Sequence, residues 1–165
     1  MLIYLDANIV QYIADHVDFL CGRQVDCPVI EPVLRNELYA LRKLIELEQL
    51  GSWTFANCEH LQTELHRGRP PDHQQETYEI LEASADTKYE IDEQVFSDVI
   101  GELEPLRLGD RNDRVHLASA VAMGASWFLT NDKDILRKVG GRFRLTRVAK
   151  PSECVDEISV GLFLR

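Results

Sequence analysis

Residues 2 to 5 read LIYL, an unbroken apolar run that stops at Asp6. Such a run predicts a strand buried on both faces, as in the interior of a parallel sheet. From Asn8 to about Leu20, Ile9, Tyr12, Ile13, Val17 and Leu20 recur at intervals of three and four, the period of an amphipathic helix. Pro28 and Pro32 bracket a break. Val33, Leu34, Leu38, Leu41, Leu44, Ile45, Leu47 and Leu50 then run at helical period to a stop at Gly51.

SWTFANC at 52 to 58 predicts the next strand, followed by a helix from about Glu59 to Arg67. The proline pair at 70 and 71 separates it from another helix around His73 to Ala85. KYEI at 88 to 91 is a short strand candidate, and a helix from about Asp92 to Leu103 follows, with Val95, Val99, Ile100 and Leu103 on one side. Val115 to Met123 forms a small-residue helix ending at Gly124, with WFLT at 127 to 130 as the strand behind it. Asn and Asp in TNDKD are good helix N-caps, so a short helix is expected from Lys133 to Val139. The last strand is RFRLTRV, 142 to 148.

Strands alternate with helices, which predicts an α/β fold: a three-layer α/β/α sandwich around a mostly parallel sheet of four or five strands. The 165 residues are enough for one domain with a substantial core, the helical segment near 31 to 50 being part of it. Hydrophobic residues at 45% and charged residues at 28% are those of an ordinary soluble protein. Apolar stretches fall short of the ~20 residues of a membrane span, and Asp6 interrupts the first of them. A cytoplasmic protein without a membrane role is therefore expected. Cys21, Cys27, Cys58 and Cys154 lack the paired spacing of a zinc site and read as reduced thiols.

A net charge of −10 argues against holding nucleic acid by bulk electrostatics. It does not argue against a nuclease, whose acids gather around a cation while local arginines grip phosphate. Arg67 with Arg69, the series Arg107, Arg111 and Arg114, and the tail from Arg137 to Lys150 are candidates, with Arg67 and Arg114 foremost.

In a parallel sheet, ligands bind beyond the carboxyl ends of the strands where the strand order reverses. Asp6 follows LIYL and Asp132 follows WFLT, so both fall on that edge. Asp113 lies near the start of the small-residue helix, Asp110 just before it, and Glu64 on the helix after SWTFANC. Two carboxylates about 4 Å apart repel by roughly 4 kcal/mol at an effective dielectric of 20, so converging acids need a cation or a shared proton. Oxygen ligands without His or Cys at ligand spacing point to Mg²⁺ or Mn²⁺.

LDAN at 5 to 8, the Glu of QTELHRG at 62 to 68, DRVHLASA at 113 to 120 and FLTNDKD at 128 to 134 resemble the ordered motifs of the PIN domain family. That family of metal-dependent nucleases includes the VapC-type toxins of bacterial toxin–antitoxin pairs. The resemblance implies that Asp6, Glu64, Asp113 and Asp132 are the metal-binding and catalytic acids. Asn8, Asp110, Thr130 and Asn131 would support them from behind. It also implies an RNA substrate, an antitoxin partner and a homodimer. Glu59 and Glu37 compete with Glu64 for the second acid, and Glu37 ranks behind because no strand directly precedes its helix. Asp134 reads as a helix-start charge, and His116 as a packed or hydrogen-bonded histidine.

Two other classes stay open. One is a catalytically silent interaction module of the same fold, whose acids cap helices. The other is a phosphatase with an aspartyl nucleophile, although DANIV after Leu5 departs from the DxDxT of such enzymes.

Overall fold

The computed structural model describes residues 1–48, 53–56, 58–65, 79, 89–108 and 111–163, and of residues 64, 65 and 160–163 only the backbone. A five-stranded sheet runs through it in the order β2-β1-β3-β5-β4. Its strands are β1 (Leu2–Leu5), β2 (Thr54–Phe55), β3 (Trp127–Leu129), β4 (Gly141–Phe143) and β5 (Thr146–Ala149). All neighbours are parallel except β4 with β5. The mostly parallel α/β architecture is thus the one the alternating pattern predicts.

LIYL and WFL form the centre because every residue of both runs is buried, which only an interior strand covered by helices on both faces can satisfy. Ile3 sits opposite Trp127 and Leu5 opposite Leu129, so both strands end at the same level. The chain leaves β1 for β2 on one side and later crosses to β3 on the other. The carboxyl ends of β1 and β3 therefore flank the point where the strand order reverses.

Helices among the described residues are α1 (Ala7–Asp15), α2 (Val17–Leu20), α3 (Pro32–Glu48), α4 (Glu59–Leu65), α5 (Glu93–Leu103), α6 (Arg111–Ala122), α7 (Lys133–Val139) and α8 (Pro151–Phe163). The predicted helix from Asn8 to Leu20 is interrupted at His16, whose φ of −130° ends α1 before α2 begins. KYEI is not a strand: Tyr89 to Ile91 have no regular structure and lead into Asp92, which caps α5. Lys88, the stop at Gly51 and most of the helix expected at 73 to 85 lie outside the described residues.

RFRLTRV is not one strand but a hairpin. Arg144 and Leu145 form the turn between β4 and β5, with Arg144 at φ 52°. A left-handed arginine is uncommon, and here its guanidinium is tied to Glu102 at 2.6 Å. The C-terminal helix α8, absent from the sequence expectation, starts at Pro151 in the first helical position that proline favours.

Glu37 explains how α8 is held. It is 3% exposed on α3 and takes the Ser152 N–H at 2.9 Å and the Ser152 hydroxyl at 2.7 Å. Its two oxygens satisfy the start of α8, a structural role that removes it from the contest with Glu64. Hydrogen bonds to a buried charged acceptor are worth about 1.5–3 kcal/mol. Glu37→Ala should lower unfolding free energy by about 2 kcal/mol in urea melts, and Glu37→Gln, which keeps one acceptor, by less.

Candidate functional site

Asp6 is the residue around which the edge is built. Its backbone N–H continues the β1–β3 ladder by donating to Leu129 O at 3.0 Å, and its carbonyl accepts from Ile9 and Val10 to begin α1. A capping side chain normally takes the N–H of the second or third helical residue. Asp6 Oδ1 instead takes the first, Ala7 N–H, at 2.8 Å. That geometry leaves Oδ2 for Asn8 Nδ2 at 2.6 Å and the Thr130 hydroxyl at 2.6 Å.

Thr130 is fully buried and directional. Its single hydroxyl hydrogen goes to Asp6, so the oxygen must accept from Asp132 N–H at 3.0 Å. Asn8 Nδ2 also approaches it at 3.3 Å, and Asn8 Oδ1 accepts a longer bond of 3.4 Å from Asn131 N–H. The strand-end pair LDAN and LTND is thereby stitched into one network.

Asp132 behaves as an ordinary N-cap with one oxygen: Oδ1 accepts from Asp134 N–H at 2.7 Å and Ile135 N–H at 2.9 Å. Oδ2 carries no hydrogen bond among the described residues. Asp134 turns along its own helix to Arg137 at 2.5 Å and Lys138 at 2.7 Å, which fits a first-turn charge. Asn131 Oδ1 is buried without a hydrogen-bond partner among the described residues.

Burial pushes the Asp6 carboxyl up to about 6 from 3.8. The Thr130 bond, the nearby His116 and the Ala7 N–H oppose that rise, while Asp113 on α6 adds to it. Asp113 is therefore brought within electrostatic reach of Asp6. His116, one turn along α6, is buried and bonded through Nδ1 to the Tyr4 hydroxyl at 2.8 Å, with Cys58 Sγ 3.3 Å from the same hydroxyl. This is the packed histidine expected from the sequence, and Tyr4 is a partner that sequence reasoning missed. The four cysteines are free thiols.

Glu64 lies on α4, which packs against α1 and α6, but its side chain is not among those described. Asp110 and Arg67 lie outside the described residues. Arg114 lines a hollow between α4, α5 and α6. Among the described residues no group of three or more His, Cys, Asp or Glu side chains is gathered closely enough to hold a metal ion. The donor chemistry nevertheless suits a hard cation: a desolvated carboxylate raised by a second acid, an Asp132 oxygen without a hydrogen bond, and a buried amide oxygen without a partner.

No protein-family model and no curated protein matches the chain. Among solved structures it resembles a chain of VapBC2 from Rickettsia felis, solved bound to a DNA fragment from their promoter. The match has a TM-score of 0.55 at 15% identity and covers 90% of this chain and 97% of that one. The fold is PIN-like. At this identity the likeness is one of fold, and the mostly parallel five-stranded sheet described above is what it bears on. Among the described residues no helix is long and apolar enough to cross a membrane.

Two measurements test the network. Because the folded pKa of Asp6 lies above its unfolded value, the native state holds the proton more tightly, and the acid's contribution falls as pH rises from about 4 to about 6. In chelator, the stability of the wild type relative to Asp6→Asn should drop by about 2.4 kcal/mol between pH 4 and pH 7.5. A pH-independent difference would contradict the burial argument. Thr130→Val, which removes a bond that lowers the Asp6 pKa, should move the Asp6 carboxyl titration upward in ¹³C NMR, while Thr130→Ser leaves it near the wild-type position.

Proposed function

We propose that this PIN-like protein is a metal-dependent endoribonuclease hydrolysing RNA phosphodiester bonds, with Mg²⁺ or Mn²⁺ held by Asp6, Glu64, Asp113 and Asp132. The observation that carries this reading is the state of Asp6. A carboxylate buried at the point where the strand order reverses, raised to about 6 and facing a second acid, is costly unless a cation or proton compensates it. Perturbed acids in such a crevice are a recognised mark of a functional site.

A divalent ion at this edge would lower the pKa of a bound water and offset charge on the scissile phosphate. The chain's own contribution is orientation. Thr130 and Asn8 fix Asp6 Oδ2, and the cap that Asp132 makes through Oδ1 leaves Oδ2 for a ligand. Asp110, Asn8, Thr130 and Asn131 support these acids from behind, and Arg67 and Arg114 supply phosphate contacts.

The Rickettsia felis structure is of VapBC2 bound to DNA. By extension from that likeness, we place this chain in the toxin role of a toxin–antitoxin pair, with an antitoxin partner, a homodimeric state and a cytoplasmic site of action. The competing reading is a catalytically silent interaction module whose acids cap helices, as Asp132 does for α7.

Purified protein with Mn²⁺ should cleave single-stranded RNA and lose that activity in chelator. Asp6→Asn, Asp113→Asn and Asp132→Asn should each reduce cleavage by on the order of 100-fold while retaining the wild-type circular dichroism spectrum. If millimolar Mn²⁺ neither supports cleavage nor raises the melting temperature, the silent module is the better account.

A further inference from the structure

The hollow bordered by α4, α5 and α6 combines features that the catalytic edge does not use. The His60 and Phe96 rings, stacked on each other with centroids 5.6 Å apart and planes 15° from parallel, line it. Arg111 and Arg114 line it together with Ile100 and Glu104, and the cavity measures about 360 Å³. That volume lies within the usual range for small-ligand pockets, roughly 300–1,000 Å³.

Its position follows from the fold. Asp113 and Arg114 are consecutive on the first turns of α6, and Asp113 is within electrostatic reach of Asp6. His60 lies in the first turn of α4, just after β2 reaches the carboxyl edge of the sheet. The hollow therefore borders the acidic edge.

The arginines here lack, among the described residues, the carboxylate partners that several other arginines have. Arg137, Arg144 and Arg147 are engaged by Asp134, Glu102 and Glu157. Among the described residues Arg111 and Arg114 make no ion pair. In a chain of net charge −10, two uncommitted guanidinium groups beside an exposed imidazole form a local cationic spot on an otherwise acidic molecule.

We propose that this hollow is a subsite for one unpaired nucleotide of a single-stranded RNA, flanking the phosphate at the acidic edge. The proposal rests on the nuclease reading for the identity of the substrate. The base stacks on the exposed His60 ring, which Phe96 backs; the neighbouring phosphates meet Arg111 and Arg114; Glu104 offers an acceptor to a base N–H. Stacking platforms combined with backbone-tracking cations are how proteins hold single strands without reading a long sequence. A pocket holding both signs of charge suits a nucleotide better than it suits a featureless polyanion. A duplex, whose bases are stacked on one another, cannot present a base to this ring.

The test is equilibrium binding by fluorescence anisotropy, with the full chain in chelator so that no metal-dependent cleavage intervenes. The probes are a labelled 12-nucleotide oligouridylate and a labelled abasic oligomer of equal length and charge. Wild type should bind the base-bearing strand about tenfold more tightly than the abasic one. His60→Ala should remove most of that preference and leave abasic binding unchanged. The double substitution Arg111→Gln with Arg114→Gln should weaken both probes alike and flatten the logarithmic salt dependence by about 1.4, the contribution of roughly two phosphates on a single strand.

The subsite is refuted if wild type does not distinguish the two probes, or if His60→Ala binds both as wild type does. An acidic segment of a protein partner then becomes the better occupant of the hollow. Because binding is read without metal, the two proposals separate cleanly. A protein that shows this pattern but never cleaves with Mn²⁺ keeps the subsite and loses the nuclease reading. One that cleaves without the pattern loses only the subsite.

Discussion

The hydrogen bond from the Thr130 hydroxyl to Asp6 joins the two halves of this molecule's working edge. Thr130 directly follows β3 and Asp6 directly follows β1, and the bond between them is 2.6 Å long and buried. Thr130 has only one hydrogen to give, so its bond to Asp6 obliges it to accept from the backbone of Asp132. A carboxylate that would otherwise be expensive to bury is thus partly compensated, and the start of α7 is placed by the same atom. Asn8 closes the network from the other strand end.

That arrangement gives the two aspartates different standing. Asp132 does what any good N-cap does, and its placement would be unremarked in a protein with no chemistry at this edge. Asp6 spends its side chain differently, taking the nearest helical N–H and turning its second oxygen to Asn8 and Thr130. Where helix capping alone is needed, a half-exposed residue suffices. Holding a carboxylate at 3% exposure instead, where burial raises its pKa and Asp113 adds to the rise, is a strain on stability that a purely structural role does not require.

Much of the frame was legible in the chain because strand interiors and helix faces leave strong periodic marks. LIYL, WFLT and the acids behind them could be ordered, and their shared edge inferred from the rules of parallel sheets. The failures have physical causes. RFRLTRV hid a hairpin because its turn lacks the glycine or asparagine that usually announces a positive φ, and Arg144 takes that conformation instead. KYEI has strand-like residues, yet Asp92 claims the adjoining backbone as a helix cap. His16 breaks the first helix without proline or glycine. The pairing of Glu37 with Ser152, and of Tyr4 with His116, joins residues more than one hundred positions apart, which no local pattern reveals. The places of Asp6 and Asp132 just beyond β1 and β3 could be read from sequence, whereas the stacked His60 and Phe96 depend on the packing of α4 against the helices beside it.

The hairpin has one more effect, on how the protein can aggregate. Among the described residues β4 is the outermost strand on its side of the sheet and pairs antiparallel with β5 alone. An open edge is a template onto which a foreign strand can add. This one is only three residues long, opens on a glycine at φ 97°, and carries the exposed Arg142 in its middle. A strand joining it would gain few backbone bonds and would crowd a charged side chain. The turn that the sequence concealed thus blunts this edge against runaway sheet growth.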